Sequence, residues 1–406
     1  WNVQGVDVRD SDATHGLAIS ATFSKNSGNN SNWFFNVNRA IWLGTSGTNF
    51  STAANWLAGV VPGAGSRVLV ESSNPMTISD AVTLLDLTVG GGAGAASVTA
   101  FAPLTVTEDI MVLTNGTLAL NQPTVVRNDF YVLAGGTLTH SGPQTTEINK
   151  LDVTVYGNAG VDVNGVIDVT GKGYAAGYGP GYSHPSASYG GRGGDGYSSG
   201  APSIGPCYGS INAPTNLGSG GSTYLGEPGG GAILMRVLGE LRHDGVMRAD
   251  AVEGGGNRGS GGSIFLTSGT LIGIGTIQAH GGDYNGWHSP GGGGRISLVV
   301  TNRAANFSLY TGAVVARGGM NLPAATSAGG AGAVARGVGG VGRARASDLA
   351  AQGVLGDAQL AAGDHLAPVV ALQAAADGLP LDLFQRARLG RVRRLGRVGR
   401  ADAGGE

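Results

Sequence analysis

Gly231-Ala232-Ile233, Gly262-Ser263-Ile264 and Gly294-Arg295-Ile296 open three similar units about 31 residues apart. A glycine run precedes each opener, and a short apolar stretch follows it. The units then reach a second shared signature: Gly245-Val246-Met247-Arg248-Ala249, Gly275-Thr276-Ile277-Gln278-Ala279 and Gly312-Ala313-Val314-Val315-Ala316. Short strands and glycine turns recurring at a fixed period are the mark of a stacked array, in which each unit buries its apolar face only against its neighbours. A shorter echo lies upstream. Met111-Val112-Leu113-Thr114-Asn115-Gly116-Thr117-Leu118 is matched twenty residues later by Tyr131-Val132-Leu133-Ala134-Gly135-Gly136-Thr137-Leu138. Leu85-Asp86-Leu87-Thr88-Val89 is likewise echoed by Leu151-Asp152-Val153-Thr154-Val155. Alternating apolar positions without helical periodicity, with Gly or Asn at the corners, predict parallel β-coils. An antiparallel sandwich would also have many short strands, but it gives no reason for an octapeptide to recur at one coil's spacing.

Composition narrows the functional classes. Glycine takes 76 of 406 positions, only 13% of residues are charged, and the formal net charge is −2. That balance offers no electrostatic footprint for nucleic acid or an anionic membrane. The single cysteine, Cys207, rules out an internal disulfide framework but leaves secretion open, since a stacked core needs no staples. No apolar run approaches the length of a membrane span. The chain begins at Trp1 without a leader and is read as a fragment of a longer polypeptide, its signal and anchor elsewhere.

Residues 1–40 read as the end of an upstream β module and a junction, closing on the polar run 25–32 before Trp33-Phe34-Phe35. Trp42 and Trp56 are expected to cap the end of the core that follows. Residues 171–230 change character: strand patterns vanish and Gly, Ser, Pro and Tyr take over. So long an insert is functional or disordered as a rule, and its tyrosines argue for packing along one face. The fourth repeat starts at Gly329-Gly330-Ala331-Gly332-Ala333-Val334 and then breaks off. From 335 to Glu406 there is no Thr, Asn, Ile, Lys, Tyr, Trp, Met or Cys. The Ala/Gly/Arg tail 334–406 is therefore expected to be out of frame or disordered, and its basic run Arg391–Arg397 carries no nucleic-acid reading.

The tract Gly165-Val166-Ile167-Asp168-Val169-Thr170-Gly171-Lys172-Gly173-Tyr174, the Gly/Tyr-rich insert, and the Gly-Gly-Ser-Ile…Gly-Thr-Ile-Gln-Ala-His-Gly-Gly unit resemble glycine-rich right-handed parallel β-helix regions of large bacterial secreted and cell-surface proteins. Asn55-Trp56…Val61-Pro62-Gly63 is similar to a motif near β-helix starts in autotransporter-like and anchored surface proteins. The resemblance covers roughly 40–333. It implies an all-β, right-handed single-stranded parallel β-helix (solenoid) over 41–333 with the long Gly/Tyr-rich insert. It also implies an extracellular or cell-surface location, and it spans adhesins, passenger domains and polysaccharide-degrading enzymes, so activity does not follow from it.

The residues carry little chemistry. Asp162 and Asp168 are six apart, but Asn164-Gly165 reads as a turn between them, so they need not converge as the two carboxyls of a glycosidase must. Arg242-His243-Asp244 sets a histidine beside a carboxylate, yet neighbours on a strand point to opposite faces. Glycine runs such as 291–294 precede strands rather than helices, so they are expected as tight corners with φ > 0 and not as phosphate cradles. The best local constellation is His280-Gly281-Gly282-Asp283-Tyr284-Asn285-Gly286-Trp287-His288. Aromatic faces stack on sugar rings while Asp and Asn hydrogen-bond hydroxyls. His280, Asp283, Tyr284, Asn285, Trp287 and His288, with Tyr182, Tyr189 and Tyr197 of the insert, are the candidate glycan contacts. A metal on His280, Asp283 and His288 is the weaker alternative, with no spacing to support it. No cofactor, catalytic residue or metal site is assigned. The expectation is a non-catalytic segment that binds or presents glycans in adhesion. The alternatives are a polysaccharide lyase or glycoside hydrolase with its groove between 174–228 and 280–288, and a purely structural spacer.

Overall fold

The computed structural model describes residues 2–4, 7–14, 19–22, 25–35, 39–194, 204–223, 225–254, 256–285, 289–302, 305–322 and 328–338. Among these the only helical element is one 3-10 turn at Ala53–Asn55, and strand pairing within the sheets is parallel throughout. The first strands form two small sheets: Asn2–Gln4, Ile19–Thr22 and Trp33–Phe35 in one, Asp7–Arg9 with Lys25–Gly28 in the other. The described strands from Arg39–Ile41 onward belong chiefly to two large sheets of 14 and 8 strands.

The larger sheet doubles back on itself. One limb runs from Arg39–Ile41 through Arg67–Val70, Asp86–Val89, Ile110–Val112 and Phe130–Val132 to Ala159–Val161. The other runs from Val82–Leu84 through Leu104–Val106 and Thr124–Val126 to Leu151–Val155. The 12-residue strand Ala232–His243 joins them. Its first half pairs with Leu151–Val155 and its second with Ala159–Val161. The result is one curled, half-barrel path of eleven strands, facing the eight-stranded sheet that begins at Met76–Ile78 and ends at Ala313–Val315.

This topology corrects the expected fold class. A right-handed single-stranded parallel β-helix of uniform coil would keep its faces as separate ladders at constant spacing. Here Ala232–His243 fuses two limbs into a single curled sheet, and the spacing between partners grows from about 20 to about 31 residues. Exclusively parallel pairing over two large sheets is otherwise the habit of α/β proteins, where helices make the crossovers. In this chain short turns and strands of the opposite sheet make them instead.

The core lies between the two sheets as register columns. Val68, Leu87, Ile110, Phe130, Ala159, Leu241 and Leu271 are successive partners on the curled sheet. Met76, Val98, Leu118, Leu138, Ile167, Met247, Ile277 and Val314 are partners on the facing one. All belong to one hydrophobic cluster. Strand alternation sends every second residue inward, so the period-two pattern becomes a continuous apolar seam. At one end Trp42 and Trp56 are fully buried and meet edge to face at 5.1 Å, their indole N–H groups donating to the Asn74 and Phe50 carbonyls.

Glycine-rich segments are packed side by side rather than folded into corners. Gly190 donates to the Gly293 carbonyl at 3.0 Å, Gly293 to Gly330 at 2.9 Å, Gly261 to Gly292 at 2.9 Å, and Gly218 to Gly230 at 2.9 Å. The run 291–294 has no positive φ, which corrects the tight-corner expectation. Through these bonds the described parts of the 171–230 insert lie against the outer side of the curled sheet. Ser263 Oγ donates to the Asn216 carbonyl at 2.5 Å, Ser297 Oγ to Asn212, and Arg295 Nε to Tyr208. Leu217 packs on Ala232, and Ile211 on Ala333 and Ala335.

The last described strand, Ala333–Val338, departs from the apolar pattern. Val334 sits in the core, but two residues on Arg336 takes the register position of Met235, Leu266 and Leu298. Its guanidinium lies over the Phe307 ring at 5.6 Å, and its Nε is buried without a hydrogen-bond partner. Arg336→Leu should therefore stabilise the protein by about 1–2 kcal/mol, restoring an apolar side chain and removing a stranded donor. An unchanged or lower urea midpoint would show that Arg336 is not a defect in the seam. Residues 339–406, which hold most of the expected tail, lie outside the described residues.

Candidate functional site

The described part of the 280–288 loop is tied into the fold by its own polar groups. The backbone N–H of His280 donates to Asp250 Oδ1 at 2.6 Å, and its Nδ1 accepts the Arg317 amide at 3.3 Å. Burial lowers the pKa of this half-buried imidazole, with the Asp250 carboxylate opposing. Asp283 is held by both terminal nitrogens of Arg317, Nη2 donating to Oδ2 at 2.7 Å, and Oδ1 also accepts the Met320 amide at 2.9 Å. Burial alone would raise the Asp283 carboxyl, but the Arg317 and Met320 hydrogen bonds carry it below the usual range. Tyr284 is buried beneath Arg258, whose guanidinium lies 5.2 Å from the ring centre and whose Nε donates to the Asp283 carbonyl. Asn285 pairs through its backbone with Leu322. Trp287 and His288 lie outside the described residues.

The structure thus brings His280, Asp283 and Tyr284 together as a clamp between segments 250–258, 280–285 and 317–320. Asp283 spends its oxygens on Arg317 and Met320, which leaves little for a metal. Among the described residues no group of three His, Cys, Asp or Glu side chains converges as a metal site. Of the insert tyrosines, Tyr182 is half-buried and its N–H bonds the Gly179 carbonyl at 3.0 Å. Tyr189 is fully buried, its hydroxyl 2.6 Å from Ser263 Oγ and its ring against Tyr208 at 4.6 Å, so it presents no face to solvent. Tyr197 lies outside the described residues.

The other sequence candidates separate as strand geometry dictates. Arg242 and Asp244 point outward and form an ion pair at 2.7 Å, while His243 points into the core and bonds the Tyr310 hydroxyl. Asp162 and Asp168 are divided by a turn in which Asn164 has φ of 66°, and Asp168 pairs with Arg248 at 2.7 Å. Sequence reasoning missed one cluster, Arg67 bridging Asp86 and Glu108. Burial raises the Asp86 carboxyl to about 6 against the opposing pull of Arg67. A raised acid beside a carboxylate is the pairing a glycosidase needs. However, Asp86 is sealed at 1% exposure and touches nothing outside the protein. Its only sequence signal is a 19-residue offset from Arg67, one circuit of the chain.

Sequence reasoning also missed a surface cluster at the turn between the two limbs. Segments 127–131 and 156–160 stack there, with Arg127 at the level of Tyr156 and Tyr131 paired with Gly160. Asp109 Oδ1 accepts from Asn128 Nδ2 at 2.8 Å and from the Asp129 amide at 3.0 Å; Asp129 Oδ1 accepts the Asn158 amide at 2.7 Å. Asn158 Oδ1 in turn accepts the Glu240 amide at 2.9 Å. Each side chain thus caps the backbone of the next level. No family model, curated protein or solved structure matches this chain. Its function must be read from these side chains alone. No helix among the described residues is long and apolar enough to cross a membrane.

Proposed function

We propose that this chain is a segment of an extracellular or cell-surface protein that binds or presents glycans without transforming them. One observation carries the reading. Asp86, Asp168, Asp244 and Asp283 are each held by an arginine, whereas Tyr156 and Tyr178 remain nearly half exposed on a rigid frame. An acid catalyst must present its carboxyl to the substrate, and carboxyls engaged by the protein's own arginines are not presented in that way. An exposed aromatic ring beside polar groups is suited to the face of a sugar. Parallel strands stacked about 4.8 Å apart give such groups fixed heights along the molecule.

The test is affinity electrophoresis of the full chain in gels cast with a panel of polysaccharides, followed by an assay of each lane for new chain ends. Retardation without new ends is expected. New chain ends would overturn the reading in favour of a lyase or hydrolase. No retardation in any gel would leave a structural spacer.

A further inference from the structure

The geometry points to the turn carrying Arg127, Asn128, Asp129, Tyr131 and Tyr156 as the glycan-binding site, and to an uncharged, hydroxyl-rich polysaccharide as its ligand. This assignment rests on the glycan reading and gives it a place. Tyr131 leans over Gly160: a Cβ on Gly160 would come within 2.7 Å of the edge of the tyrosine ring, and Gly160 is buried beneath it. Its hydroxyl donates to Asp129 Oδ2 at 3.0 Å, and Asp129 is fixed from its other oxygen by the Asn158 amide. Neither ring nor carboxylate needs to reorganise on binding, which removes an entropic cost of association. Tyr156 stands nearly half exposed one level on, with the Arg127 guanidinium 4.8 Å from its ring centre.

Each part matches a feature of a sugar chain. Aromatic rings offer faces to the C–H surface of a pyranose. Asp109 and Asp129 retain lone pairs after their backbone bonds and accept from hydroxyls, while Asn128 and Arg127 donate. Charge decides between classes of polysaccharide. Asp109 and Asp129 sit at the heart of the turn, Glu108 and Glu240 flank it, and Arg127 lies over an aromatic ring. A uronic-acid polymer would be repelled by these carboxylates, and an uncharged chain would not.

The test uses the full chain in gels containing galactomannan, hydroxyethyl cellulose or laminarin as uncharged probes and alginate or polygalacturonate as acidic ones. Wild type should be retarded by at least one uncharged polymer and by neither acidic one. Tyr156→Ala and the Tyr131→Ala/Tyr156→Ala pair should weaken retardation about tenfold or more. Phe101→Ala, which removes a comparably exposed aromatic ring outside this turn, should leave it unchanged. Tyr131→Ala uncovers Gly160 and can disturb the turn, so Tyr156→Ala, with an unchanged melting temperature, carries the decision. Retention that survives the double variant but is lost in Trp287→Ala moves the site to the 280–288 loop and overturns this assignment alone. Retardation only by the acidic polymers overturns the ligand class. A wild type retarded by nothing overturns both this assignment and the glycan reading beneath it.

Discussion

Gly262→Ala should destabilise the protein by roughly 3–5 kcal/mol, near the upper end of what one methyl group can do. Gly231, Gly262, Gly294 and Gly332 form a column in which each residue lies directly on the one before. A Cβ on Gly262 would come within 1.9 Å of the Gly231 carbonyl oxygen, one on Gly294 within 2.2 Å of the Gly262 oxygen, and one on Gly332 within 1.9 Å of the Gly294 oxygen. Backbone atoms cannot swing aside as a flexible side chain can. Alanine would therefore separate two levels of the curled sheet or break the Gly262 N–H bond to the Ala249 carbonyl, which is 2.7 Å long. Gly65→Ala is the matched control, since nothing lies within 4 Å of its Cβ direction and its φ is not positive. It should change stability by less than about 1 kcal/mol. Urea midpoints of the two variants decide the matter. A Gly262→Ala protein as stable as Gly65→Ala would mean that the levels are not packed as closely as described.

That column shows what could be read before the structure and what could not. The repeat that begins with Gly231, Gly262 and Gly294 marks register neighbours, because Ile233, Ile264 and Ile296 are successive partners. The Met111 and Tyr131 octapeptides are likewise adjacent, Met111 opposite Tyr131 and Leu118 opposite Leu138. Similar side chains recur because each must fill the same slot in the seam. The echo between 85–89 and 151–155 is different. Asp86–Val89 lies on one limb of the curled sheet and Leu151–Val155 on the other, so the shared pattern reports only that both are strands. Sheet organisation was hidden for a related reason. Only the length of Ala232–His243 reveals the fusion of the limbs, and its apolar run gives no sign of which partners it spans. The candidate site was the least legible part. Asp283 and Tyr284 are the residue types of a glycan site, but their partners Arg317 and Arg258 lie 34 and 25–26 positions away. Tyr131 gained significance only once Gly160 was seen beneath it, since nothing in either local sequence links them.

Lowering the pH from 7 to about 4 should destabilise the protein through two buried histidines, by about 3 kcal/mol each. His140 and His243 are both fully buried, and burial lowers each pKa from 6.5 to about 4. His140 lies 2.9 Å from the Ser141 carbonyl through Nδ1 and accepts the Ala232 amide on Nε2 at 3.2 Å. That pattern assigns its proton to Nδ1, and a second proton would set two donors face to face. The Tyr310 hydroxyl donates to the Gly275 carbonyl at 2.9 Å and so accepts from His243 Nδ1, also at 2.9 Å. His243 Nε2 has no partner, and a proton there would sit in the core unpaired. Below pH 6.5 the unfolded chain binds these protons and the folded chain does not. The stability they confer is therefore complete above about 6.5 and falls away as the pH drops towards about 4. Asp86 acts in the opposite sense. Its carboxyl, raised by burial to about 6, takes up a proton in the folded state first and adds stability as the pH falls. The histidine contribution must therefore be read by difference. His243→Leu keeps an apolar side chain at that core position and cannot titrate, so its loss of stability between pH 7 and 4 should be about 3 kcal/mol smaller than that of wild type. Parallel pH profiles for the two proteins would show that His243 titrates freely and that the seam around it admits water.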